Sequence, residues 1–232
     1  MNKNCLFILK IVAVVILMVF SLETSCRAAH PSRYSIDMQY DSAQALVPEH
    51  LKADSKTRGV IISIAEFTDT RQVADKKVIG WVKELDGSKV SLFPKNDHPT
   101  KVVAYGVKEY LKKADYKVAD KLIQWDLREG TIPKGKGRMI IGGSIDELEV
   151  TCWTGVFSND YKANLKLTLV VADSANGKIL YKGNVTIVSS KTDVSFSEGQ
   201  LGHQAGIALS DAIEKVFEGK TVAQKMKEDF TQ

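Results

Sequence analysis

The stretch KANLKLTLVVADSANGKILYKGNVTIVSS, residues 162–190, leaves this chain little choice of fold. Ala163, Leu165, Leu167, Leu169 and Val171 alternate with their neighbours, so one face of a strand is apolar. SANG turns the chain, with Gly177 supplying the left-handed backbone, and the next thirteen residues return antiparallel. A hairpin with one greasy face needs a cover. Residues 197–219 provide it. Ser197 and Gln200 form a capping box, and Leu201, Ala205, Ala208, Leu209, Ala212, Ile213, Val216 and Phe217 make a broad helical stripe that Gly219 ends. A helix with that stripe must lie on a sheet.

The segments upstream add strands and a second helix. MIIGGSIDELEVTCW, residues 139–153, changes phase: Ile141, Gly143 and Ile145 share one parity, and Leu148, Val150 and Cys152 the other. A bulge near Asp146 and Glu147 keeps both halves on one sheet face. Residues 34–40 alternate as a half-buried strand with Tyr34, Ile36, Met38 and Tyr40 on one side. Residues 59–67 read as an internal strand, and Asp86-Gly87 as a hairpin turn. Pro99 opens a helix whose apolar face is Val103, Val107, Tyr110 and Leu111, closed by Lys112 and Lys113 at its negative dipole end. The chain turns at Ala114-Asp115 into a strand at 116–118, and the tail at 220–232 is at most a weak helix. The predicted class is α+β: an antiparallel or mixed sheet with two main helices on one face.

The front end is of another kind. Lys3 and Lys10 precede the apolar run 11–22, which as a helix rises about 18 Å, short of the ~30 Å hydrocarbon core. A positive start, a short apolar middle and small residues after it describe a secretory signal peptide; an uncleaved membrane anchor is the competing reading. Two processing schemes fit. A cut after Ala28 is one. The other treats Leu22-Glu23-Thr24-Ser25-Cys26 as a lipobox that ends on an acylated cysteine, with Glu23 departing from the usual aliphatic residue. A Cys26–Cys152 disulfide is permitted in an oxidising compartment. Only a lipid explains a cysteine at the signal's end, and several acyl chains on one residue hold firmly. Arg27, where an enteric inner-membrane lipoprotein carries Asp, directs the expectation to the outer membrane.

Catalytic signatures are weak. His30, His50, His98 and His203 share no ligand spacing, so no metal or other cofactor is expected. GKGR, residues 135–138, precedes a strand, whereas phosphate cradles open a helix; it reads as a basic loop able to touch anionic headgroups or peptidoglycan. Asp146, Glu147 and Glu149 are candidates for an acid/base pair, with solvated residues on an open sheet face the plainer account. Trp81, Trp125 and Trp153 are either core or the anchors of a partner contact. Lys+Arg of 32 against Asp+Glu of 28 gives a formal charge of +4, too mild and too evenly spread for nucleic-acid binding.

Four blocks in order carry a resemblance: GVIISIAEFTDTRQ, VVAYGVKEYLKKADYKV, YKANLKLTLVVADSANGKILYKGNVTI and ALSDAIEKVF. Together they resemble the YajG-type family of small outer-membrane lipoproteins. That resemblance implies an α+β domain tethered by lipid, with helices on one side of an antiparallel sheet. The expected organisation is a signal peptide at 1–25, a tether at 26–33, one domain at 34–219 and a tail at 220–232. The expected function is that of an envelope lipoprotein, lipid-anchored at Cys26 in the outer membrane and facing the periplasm, which binds or supports another envelope protein without chemistry of its own. One alternative is an auxiliary lipoprotein of a lipid or solute transport system with an apolar ligand. A second is a periplasmic enzyme of unknown reaction.

Overall fold

In the computed structural model, residues 32–228 are described. The proposed signal peptide, Cys26 and most of the tether lie outside them. The strand that organises the rest is β7, Met139–Thr154. Along one edge runs β8, Asn159–Asp173, antiparallel, and beyond it β9, Lys178–Asp193. The expected hairpin is there: Gly177 sits at φ +66°, and its N–H donates to the Asp173 carbonyl at 3.0 Å.

The other edge of β7 is covered by three short strands in succession, all parallel to it. They are β2 (Ile61–Ile64), β3 (Thr68–Asp69) and β4 (Gly80–Lys83). Outside β2 lies β6, Lys117–Val118, parallel; outside β4 lies β5, Lys89–Pro94, antiparallel through the turn at Gly87. Finally β1, Tyr34–Ile36, runs parallel to β5. The result is a nine-stranded mixed sheet. The expected strand over 34–40 is shorter than read, Tyr34–Ile36, and its ladder with β5 ends where the Lys95 N–H donates to the Ile36 carbonyl at 2.7 Å. Burial still alternates as far as Met38.

Two helices cover one sheet face, α1 at Pro99–Lys113 and α2 at Glu198–Glu218. Val103, Val107, Tyr110 and Leu111 of the first and Leu201, Ala208, Leu209, Ile213 and Phe217 of the second are buried in one core with the apolar parity of β7 and β8. Each large apolar side chain so buried contributes on the order of 2 kcal/mol. The helices approach closely at Gly106, where a Cβ would lie 2.5 Å from Ile213 Cδ1. Ser197 caps α2, accepting from the Gln200 N–H at 3.1 Å. The reciprocal half of the box is replaced: the Ser197 N–H donates to the Tyr161 hydroxyl, while the Gln200 side chain turns to Asp193. Gly219 ends α2 at φ −67° rather than in the left-handed region, and the chain runs on into α3, Lys220–Glu228. Residues 220–228 therefore form a packed helix where a weak one was expected, because Val222, Ala223 and Met226 reach the main core.

The bulge falls where the phase change places it, between Ile145 and Glu147. It divides β7 into unlike halves. From Met139 to Ile145 every residue is buried, since the face away from the helices is sealed by a second, small core of Ala65, Trp125, Ile132, Ile140, Val170 and Ala172. From Glu147 onward that face is open.

Candidate functional site

The open half of the sheet carries the candidate surface. Trp81 pairs in register with Thr151 and Lys83 with Trp153, so the two indoles lie on one face and meet edge to face, centroids 4.9 Å apart. Trp81 is fixed from the side. Trp81 Nε1 donates to Glu149 Oε1 at 3.2 Å, and Lys89 Nζ stands 4.1 Å from the centre of the Trp81 ring. Trp153 is 39% exposed and Trp81 half-buried. Trp125, for which core and contact anchor were both open, takes the first. It is 5% exposed, packs in the small core and donates its Nε1–H to the Arg128 carbonyl, so it is a core residue.

The three carboxylates weighed as an acid/base pair are each tied down. Asp146, displaced by the bulge, accepts hydroxyl bonds from Ser144 and Thr70 at 2.7 Å and from Thr168 at 2.6 Å. Burial pushes its pKa up, and the three hydroxyls outweigh that and hold it below the ordinary value. Glu147 pairs with Lys166 at 3.6 Å, and Glu149 holds Trp81. The arrangement builds and fixes a surface.

The thiol of Cys152 lies under that surface, fully buried on the core side. Burial first, then Asp160 and Glu84, push its pKa up to about 12, so it is neither a nucleophile nor a free partner for exchange. Above it an aromatic seam closes this end of the sheet. Tyr34 of the edge strand meets Phe196 at 5.2 Å, and Phe196 stacks on Tyr161 of β8.

A second feature lies along α2. The segment 46–48, Tyr110 and Ile187 enclose a hollow of about 480 Å³, rimmed by Asp211, Glu214, Lys215 and Glu218. It adjoins another of about 660 Å³ that adds Asp37 and Asp41. Burial raises the Glu214 pKa, partly offset by the Leu46 N–H that its carboxylate accepts. Of the histidines, His50 contacts the Glu218 carbonyl, His98 the Thr100 hydroxyl, and His203 lines the larger hollow; His30 lies outside the described residues. Among the described residues no group of three or more potential ligands is placed to hold a metal ion. None of their helices is long and apolar enough to cross a membrane.

Comparison with known proteins adds the fold. No protein-family model matches the chain, and no curated protein matches it by sequence. Among solved structures it is similar to protein XCC0632 from Xanthomonas campestris, of the family model DUF330, with a TM-score of 0.52 and 8% identity over 84% of this chain and 98% of that one. It is also similar to lipoprotein GNA1162 from Neisseria meningitidis (TM-score 0.35, 11% identity, 69% and 99% covered). A third is the LpoB C-terminal domain from Salmonella enterica (TM-score 0.30, 10% identity, 64% and 98% covered). The first of these establishes a shared α+β fold; none carries a residue or a role across.

Proposed function

We propose that this chain is an envelope lipoprotein of the YajG type, acylated at Cys26 in the outer membrane, whose periplasmic domain binds another envelope protein and performs no reaction. The binding role rests on one observation: the Trp81–Trp153 pair, braced by Glu149 and Lys89 on a part of the sheet that neither core covers. Aromatic anchors held in place at low entropic cost are what a protein contact uses. The anchor is supported by Cys152. A disulfide to Cys26 requires a thiol within reach, and Cys152 is enclosed by the core. That favours the lipid as the use for Cys26.

The anchor is tested by intact mass and membrane fractionation beside Cys26→Ala. A triacylated Cys26 in the wild type, with the variant released from the membrane, supports it; an unacylated soluble chain beginning after Ala28 overturns it. The contact is tested by in-cell crosslinking to an envelope protein, which Trp153→Ala and Trp81→Ala are expected to abolish while the fold persists. The hollow along α2 favours the second reading, a lipid or solute carrier, because its floor is apolar. Lipid that co-purifies with the protein and is expelled by Ile187→Trp would establish that reading instead.

A further inference from the structure

Four large apolar side chains stand in water at the loop tips of this fold: Leu85 is 67% exposed, Val156 80%, Phe157 88% and Val194 83%. They come from three different connections, and the sheet brings them to one end. Leu85 lies in the β4–β5 turn, and Val156 and Phe157 in the β7–β8 turn. Thr154 Oγ1 donates to the Lys83 carbonyl at 3.0 Å, which joins those two turns. Val194 follows Asp193, which pairs with Asn159 beside the same β7–β8 turn.

The described chain also begins at this end. Because β1 is parallel to β5, with Tyr34 opposite Leu92, residues before Tyr34 lead toward the β4–β5 turn, and Tyr34 donates to Glu84 Oε1 at 2.6 Å. Seven residue steps separate Arg33 from Cys26, at most about 25 Å of extended chain. A lipid on Cys26 therefore keeps this end of the sheet within that distance of the bilayer. The basic loop at 130–138 lies at the other end of β7, about 50 Å away along a strand of sixteen residues.

We propose that Leu85, Val156, Phe157 and Val194 form an apolar foot that enters the interfacial region of the same bilayer and fixes the domain upright on it. The proposal rests on the acylation of Cys26 for the direction of approach. Loop tips carrying Phe, Val and Leu gain by leaving water for the acyl boundary. The drive is apolar. Among the described residues at this end, Arg33, Lys83, Lys89 and Lys191 are balanced by Glu84, Asp86, Asp160 and Asp193, with Lys191 paired to Asp193 at 2.9 Å. Entry is accordingly expected to be insensitive to salt. Upright, the domain holds its Trp81–Trp153 face to the side and its basic loop away from the membrane.

The test uses the full chain in phosphatidylethanolamine–phosphatidylglycerol vesicles, with Phe157→Cys labelled by an environment-sensitive fluorophore. Ala175→Cys, in the β8–β9 turn at the far end, is the control. Cys152 is buried and an acylated Cys26 is blocked, so each variant offers one reactive thiol. Spin-labelled lipid is expected to remove most of the emission at position 157 and none at 175, at low and high salt alike. Intact mass of the same samples reports acylation separately. If Cys26 is acylated and the label at 157 is unquenched, the foot is overturned and the anchor stands. If Cys26 is bare, the experiment is repeated as Cys26→Ser with added vesicles. Quenching at 157 then upholds the foot without the anchor, and its absence overturns both.

Discussion

The two halves of β7 were built by the same strand on the same ladder, yet they do different work. Before the bulge the strand is buried on both faces and reads as a nearly continuous run, MIIGGSI. After it, alternation returns, with Leu148, Val150 and Cys152 inward and Glu147, Glu149 and Trp153 outward; Thr151, opposite Trp81, is the one outward position that is covered. The difference teaches where this fold has freedom. A face sealed by a second core is committed to stability. A face left open can hold aromatic residues for another molecule without loss.

The largest expected effect comes from Trp125, on the sealed side. Trp125→Ala empties most of the small core and removes one of the donors to the Arg128 carbonyl, and is expected to destabilise by about 3–5 kcal/mol. Urea unfolding followed by far-UV circular dichroism measures it. A loss near zero would show that the second core is not one, and the comparison between the halves would collapse. Next is Gly143→Ala. A Cβ there would lie 2.1 Å from the Thr168 carbonyl oxygen and 2.5 Å from the Phe67 ring, so overpacking of about 1–3 kcal/mol is expected in the same assay.

These two residues also mark what sequence could and could not show. The long hairpin, the phase change, the Ser197 cap and both amphipathic helices were legible, because each is set by neighbours within a few residues. Trp125 was ambiguous because its cover comes from Ile132, Ile140 and Val170, which periodicity around residue 125 does not report. The parallel lodging of β2, β3 and β4 along a single edge is likewise non-local; two of those strands have four residues and one has two. Asp146 could be placed on a bulge, but its hydroxyl donors Thr70 and Thr168 arrive from other strands. The open tryptophan face emerges only when β4 is set beside the far half of β7.

Asp146 sits on the boundary between the halves, and a smaller effect of about 1–2 kcal/mol is expected for Asp146→Ala, which removes the shared acceptor of three hydroxyls. Its sign with pH is fixed by the direction of the shift. The folded carboxyl titrates below its unfolded value, so its contribution is complete above the ordinary aspartate pKa of about 3.9 and is lost as pH falls below it through the folded value. Urea midpoints of wild type and variant are expected to converge on acidification across that window. A gap that stays constant would mean the bulge is held by packing alone.

The smallest effect separates the halves most sharply. Trp153→Ala should cost about 1 kcal/mol or less, since the indole is part-exposed and its main contact is the edge of Trp81. A double-mutant cycle with Trp81→Ala is expected to return a coupling of about 0.5–1.5 kcal/mol, the range for an aromatic pair. The same indole chemistry on the sealed side costs several times more. If Trp153→Ala proves as damaging as Trp125→Ala, the outer face after the bulge is core and offers nothing to a partner. A small loss of stability with a complete loss of crosslinking has the opposite meaning. A large, oriented aromatic pair that folding scarcely uses is then held in place for the molecule that docks on it.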